Sequence, residues 1–149
     1  MLPPMTDDPS ASTVEPPPRI LTPLTPENRA FWTGGANGEL LILRCTGCRR
    51  WVHPPVRSCP SCGGELAPEA VSGDGTVFTF TVNRQPYHPA VPPPYAIAIV
   101  ELVEQEGLRF TTNLVNCDLD ALAIGMPVHV VFEHHGDVFV PVFEPAPVG

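Results

Sequence analysis

From Gly73 onward the chain alternates apolar and polar residues with the period of two expected of strands that cover a core. Thr76-Val77-Phe78-Thr79-Phe80-Thr81-Val82 puts Phe78, Phe80 and Val82 on one face, with Thr79 and Thr81 on the other. Tyr95 to Leu102 is nearly continuous in apolar residues and reads as a strand buried on both sides. Leu108, Phe110, Thr112 and Leu114 then alternate with Arg109, Thr111 and Asn113, and Val128, Val130 and Phe132 alternate with His129 and Glu133. Val138 to Phe143 forms a last strand after a solvated hairpin turn at His134-His135-Gly136-Asp137. Asp118 to Gly125 interrupts the series as a single capped helical turn closed by glycine. Three strands, a short helix and two more strands is the order of an OB-fold, a five-stranded Greek-key barrel, here over residues 73–145. SH3-like barrels also use five strands; the helix between the third and fourth decides for the OB-fold.

Upstream the pattern is different. Residues 1–24 hold seven prolines and no apolar periodicity, which predicts a disordered, proline-rich arm. Thr25-Pro26-Glu27-Asn28-Arg29-Ala30-Phe31-Trp32 opens a short helix within 25–38: Thr25 caps, Pro26 takes the first position, and Gly34-Gly35 or Gly38 ends it. The adjacent Phe31 and Trp32 cannot share one direction on so short a helix. One ring is expected to pack on the neighbouring segment; the other is a candidate anchor for a partner. Glu39 to Arg44 is an apolar strand with Trp51-Val52-His53 as its return, ended by Pro54-Pro55, and Glu65 to Val71 leads out.

Between these strands lie Cys45, Cys48, Cys59 and Cys62, two Cys-x-x-Cys pairs separated by ten residues. Two such turns facing each other offer four thiolates to one point, the arrangement Zn²⁺ accepts. A redox dithiol of the thioredoxin kind needs one pair in a βαβ setting. The spacing therefore predicts a rubredoxin-like zinc ribbon over residues 39–72. Catalytic zinc keeps a position open for water, whereas four cysteines close the sphere, so the zinc is structural. His53 falls between the pairs and is expected at the surface. Cys117 reads as a small buried hydrophobe.

Composition narrows the function. All eight basic residues are arginine, against sixteen acids. Residues 44–72 carry Arg44, Arg49, Arg50 and Arg57, whereas residues 73–149 carry nine acids against Arg84 and Arg109. Nucleic-acid binding, common among OB-folds, draws on cationic side chains for phosphate and on aromatic faces for stacking. A barrel at −7 with Thr79, Thr81 and Asn113 on its strands argues against it. No apolar run reaches the length of a membrane span, and reduced zinc thiolates suit the cytoplasm. Catalytic motifs are missing: no Gly-x-Ser-x-Gly elbow, no phosphate-binding glycine loop, no His-Glu-x-x-His. The chain is not expected to be an enzyme on its own. A binding edge is more plausible at the loop 83–94, where five prolines stiffen a segment bearing Arg84, Tyr87 and His88.

The run T-P-E-N-R-A-F-W, the lead-in G-E-L-L-I-L-R-C-T-G-C, then P-P-V-R-S-C-P-S-C-G-G, G-D-G-T-V-F-T-F-T-V and I-G-M-P-V-H-V-V-F-E occur in that order. Over residues 25–145 the chain resembles the zinc-ribbon/OB-fold acyl-CoA-associated family, long filed as a domain of unknown function. The resemblance implies a non-catalytic accessory subunit that binds and stabilises a thiolase-superfamily enzyme acting on acyl-CoA thioesters. Such partners include acyltransferases and the thiolase-like aldolases of steroid side-chain degradation. It further implies a heterotetramer of two plus two with acyl-CoA at the shared interface, and Cys45, Cys48, Cys59 and Cys62 as zinc ligands. Arg49 and Arg50 are candidates for the CoA phosphates, and Phe31, Trp32, Arg84, Tyr87 and His88 for partner contacts. The competing readings are a nucleic-acid-binding ribbon–barrel module and a free-standing acyl-CoA-binding protein.

Overall fold

The computed structural model describes residues 19, 21–86, 89 and 91–147. Tyr87, His88 and nearly all of the proline-rich arm lie outside the described residues.

Thr25 and Asn28 cap one another: the Thr25 N–H donates to Asn28 Oδ1 at 2.7 Å and the Asn28 N–H donates to Thr25 Oγ1 at 3.2 Å. This reciprocal pairing bears out Thr25 as a cap; the chain turns through Pro26, Glu27 and Asn28, and the regular helix α1 spans Arg29–Thr33. A 3₁₀ turn over Gly34–Asn37 follows and stops at Gly38, whose φ of 73° favours glycine. Gly35 is required by space: a Cβ there would meet Phe139 Cβ at 2.4 Å, so the turn sits directly on the barrel.

The ribbon is a three-stranded sheet, β1 (Leu40–Cys45), β2 (Trp51–Val52) and β3 (Leu66–Val71), in the order β2-β1-β3. Residues 66–71 do more than lead out, because they pair with β1 along its whole length, from Leu40↔Val71 to Cys45↔Leu66. Pro68 is tolerated because β3 is an edge strand.

The barrel strands are β4 (Asp74–Asn83), β5 (Tyr95–Leu102), β6 (Arg109–Leu114), β7 (Pro127–His135) and β8 (Val138–Pro145). They close in the order β4-β5-β6-β8-β7, with β8 parallel to β6 and β7 returning to β4. This is the five-stranded OB-fold, with a 3₁₀ turn at Leu119–Ala121 between β6 and β7.

Two strands depart from the expected facing. In β5, Ala96, Ala98, Val100 and Leu102 are buried, but Tyr95, Ile97 and Ile99 are only half-buried, because their outer side is incompletely covered. In β4 the register slips between Val77 and Thr79. That bulge keeps Val77 and Phe80 against the core and turns Phe78 out, where it is 42% exposed under the Arg109 guanidinium at 3.7 Å.

Ribbon and barrel share one core. Leu40, Ile42, Trp51 and Val71 pack in the same cluster as Val77, Val100, Leu102, Leu114 and Phe143. The joint is further tied by the β5–β6 turn. Gln105 accepts from the Trp51 N–H at 2.9 Å and donates to the Trp51 carbonyl at 3.0 Å, as a strand neighbour would. Glu104 accepts from the Ser72 N–H at 2.7 Å. Gln105→Ala leaves two half-buried backbone groups unpaired and is expected to cost about 1–3 kcal/mol. Denaturant unfolding followed by tryptophan fluorescence checks it; an unchanged midpoint would mean water replaces the amide without loss.

Candidate functional site

The four cysteine sulfurs lie within 4.8 Å of one another, Cys45 to Cys62 at 3.4 Å and Cys48 to Cys59 at 3.7 Å. A tetrahedron with Zn–S bonds of about 2.3 Å has edges of about 3.8 Å, so no pair of sulfurs needs to close by more than about 1 Å to bind a metal ion. Local backbone builds each half of the site. The Gly47 and Cys48 N–H groups both donate to Cys45 Sγ at 3.4 Å. The two knuckles superpose in kind, with the residue after each second cysteine left-handed: Arg49 at φ 66° and Gly63 at φ 76°. Gly64 leaves room for the sulfurs, since a Cβ there would meet Cys45 Sγ at 2.8 Å.

The donor set is suited to a dication. The Cys48 N–H, with Gly47, holds the Cys45 thiol down at about 6 against the opposing effect of burial. Cys59 is likewise lowered, chiefly by the Cys62 N–H. Cys48 goes the other way, to about 11: the Arg50 N–H favours its thiolate, but burial and the neighbouring sulfurs outweigh it. Zinc, when bound, supplies the positive charge that keeps all four deprotonated.

The ribbon arginines differ in their freedom. Arg44 and Arg49 both grip Glu69 at 3.0 Å. Burial opposes the ionisation of Glu69, but the two guanidinium groups win and hold its carboxyl below the usual range. Arg44 also lies 4.4 Å over the Trp51 ring. Among the described residues Arg50, which is exposed, makes no ion pair, and Arg57 reaches Glu27 alone, at 3.6 Å. Arg84 is exposed at the start of its loop.

A second feature was not legible in the sequence. A groove of about 910 Å³ runs between α1, the segment His53-Pro54-Pro55 and the outer side of β5, β6 and β8. Its aromatic walls are Phe31, Trp32, His53, Tyr95 and Phe110. Phe31 is buried and packs at 4.9 Å on both Trp32 and His53 and at 5.9 Å on Phe110, so its ring serves the core as well as the groove. Trp32 is half-buried. The expectation of a surface His53 is corrected: the ring is enclosed by Phe31 and Phe110, and burial pushes its pKa down to about 4.

At one end of the groove Arg19 meets Glu133 at 2.7 Å, and His135 meets the same oxygen at 3.1 Å. Both histidines belong to the end of β7 rather than to the turn; the side chain of His135 is only 12% exposed, whereas His134 is exposed and stacks on Phe139. Burial would raise Glu133, but hydrogen bonds from Arg19 and His135 keep it below the usual carboxylate range. Cys117 is half-buried against the core, and burial with the adjacent Asp118 raises its thiol.

His53 gives a pH dependence of definite sign. Its folded pKa is depressed, so between about 6.5 and 4 the unfolded chain binds the proton that the folded chain refuses. Stability is full above that window and falls as pH drops through it, by up to about 3 kcal/mol. An NMR titration of the His53 ring checks the value; a midpoint near 6.5 would show that the ring is open to water.

Two family descriptions match the chain: "ChsH2, rubredoxin-like zinc ribbon domain" over residues 32–69 and "ChsH2, C-terminal OB-fold domain" over residues 68–133. Among solved structures it is similar to the "Ltp2-ChsH2(DUF35) aldolase", at 38% identity and a TM-score of 0.74, covering 85% of this chain and 100% of that one. The chain belongs to the DUF35 family. Within that family it is 36% identical over 96 residues to a "DUF35 domain-containing scaffold protein" of Methanocaldococcus jannaschii, covering 62% of this chain and 67% of the relative. It is also 40% identical to a "Probable enoyl-CoA hydratase alpha subunit" of Thermomonospora curvata. A "3-oxo-4,17-pregnadiene-20-carboxyl-CoA hydratase alpha subunit" of Mycobacterium tuberculosis is 35% identical. Both alignments cover 87% of this chain, but the chain spans only 41% of the length of either hydratase subunit. Among the described residues no helix is long and apolar enough to cross a membrane.

Proposed function

We propose that the protein is a non-catalytic subunit that binds and stabilises a thiolase-superfamily enzyme acting on acyl-CoA thioesters, in the cytoplasm. The observation that carries this reading is the alignment with the whole DUF35 chain of an aldolase at 38% identity. The printed name of the archaeal relative, a scaffold protein, supports the same role. The pregnadiene-carboxyl-CoA name of the mycobacterial relative favours a steroid acyl-CoA and side-chain degradation. Geometry is in accord: four sulfurs fill a tetrahedral metal and leave no position for a substrate. The chemistry then belongs to the partner, in an assembly of two plus two.

Acyl-CoA in this reading lies at the shared interface, with the exposed Arg50 and the neighbouring Arg49 near its phosphates. Trp32, Arg84 and the loop bearing Tyr87 and His88 meet the partner. Arg50 is the better phosphate ligand, since Arg49 is already held by Glu69. Co-expression with thiolase-like proteins of the same genome tests the assembly. A stable complex at equal stoichiometry is expected, and a zinc-loaded chain that stays alone with all of them would sink the reading. Arg49→Ala with Arg50→Ala is expected to weaken CoA-ester binding by the complex at least tenfold; equal affinity would remove the phosphate role.

A further inference from the structure

The aromatic groove has the character of a surface that receives extended proline-rich chain. Polyproline II segments carry no internal hydrogen bonds, so they dock on aromatic walls that pack the pyrrolidine rings and on side-chain donors that meet their carbonyls. This groove offers Trp32 and Tyr95 as half-buried rings and Pro54-Pro55 as a flat apolar rim. Among the described residues the Trp32 indole N–H donates no hydrogen bond, and the Tyr95 hydroxyl accepts from Asn83 at 2.7 Å. Asn28 already shows the required interaction, donating to the carbonyl of Pro23 at 3.2 Å.

We infer that the groove is a polyproline-docking surface and that its occupant in the free subunit is this chain's own segment 1–18. The place where that segment joins the described structure selects it. Arg19, Leu21 and Thr22 line the groove, Arg19 is fastened there by Glu133, and Leu24 packs over the outer side of β8. The residues directly before Arg19 are Val14-Glu15-Pro16-Pro17-Pro18. At about 3.1 Å per residue they reach about 15 Å from the anchor, enough to cross the ring-lined wall without a linker. An intramolecular occupant held at so short a tether outcompetes a free segment of the same composition. The inference stands apart from the enzyme-subunit reading, because it concerns the subunit alone.

The test compares the zinc-loaded full chain with a variant starting at Arg19, using acrylamide quenching of tryptophan fluorescence. Trp51 is only 6% exposed and contributes a constant background, so the change reports Trp32. Loss of residues 1–18 is expected to raise the quenching constant at least twofold. A synthetic peptide of residues 1–18 is expected to restore it and to shift the amide signals of Ile97, Thr111 and Asn113. Replacing Pro16, Pro17 and Pro18 by serine in the full chain should act like the truncation. Equal quenching in full and shortened chains overturns the proposal. So do peptide-induced shifts confined to the ribbon arginines, which would mark the acids of the segment as its only attraction.

Discussion

Removing zinc with a chelator, or replacing Cys59 by serine, is expected to unfold residues 39–72 and to weaken the barrel with them. Structural zinc sites contribute roughly 10–16 kcal/mol of apparent binding energy to folding, more than most domains have in total. The ribbon has little of its own to fall back on. Its private cluster consists of Cys45, Val52 and Cys59 with Leu66 beside them. Its larger residues, Leu40, Ile42, Trp51 and Val71, lie in the core shared with the barrel. Metal loss therefore strips apolar cover from Val77, Val100 and Leu102 as well. Zinc content by elemental analysis and the thermal midpoint with and without chelator give the check. A metal-free chain that melts with the midpoint of the loaded one would refute the structural role.

The second large effect is expected from Phe143→Ala. Phe143 is fully buried at 0% exposure, and its ring packs 5.5 Å from Phe110. It sits at the seam where the barrel closes: it pairs with Leu114 across the parallel contact of β6 and β8, and its carbonyl accepts from the Val115 N–H at 2.8 Å. Truncation leaves a cavity in the core of the closed barrel, at a cost of about 3–5 kcal/mol. Denaturant unfolding measures this, and Phe143→Leu should recover most of it. A loss below about 1 kcal/mol would mean that the seam collapses to fill the space.

The barrel strands and the zinc ligands were legible because each is a local pattern: a period of two in the first case, a repeated four-residue turn in the second. The OB-fold was read from the helical turn between the third and fourth barrel strands, and the closed order β4-β5-β6-β8-β7 bears it out. What the periodicity could not show is where register breaks. The bulge beside Phe78 changes which face that ring occupies, and it shows only in the register of β4 against β5. The long pairing of β3 with β1 was hidden by Pro68, which reads locally as a breaker. The groove was invisible for a different reason. It is assembled from residues as far apart as Arg19 and Val142, and only the closed barrel brings them together. His53 shows the same limit, since nothing beside it in the sequence announces that Phe31 and Phe110 will enclose it.

The grip of Gln105 on Trp51 also bears on edge-to-edge association of the ribbon. β2 is an outer strand of the ribbon sheet, and an unpaired N–H and C=O on such a strand are a template for pairing with another molecule. Gln105 occupies both groups of Trp51, so the barrel acts as a blocking cap on the ribbon's open margin. A ribbon severed from its barrel would present that margin to its neighbours and would be prone to stack edge to edge.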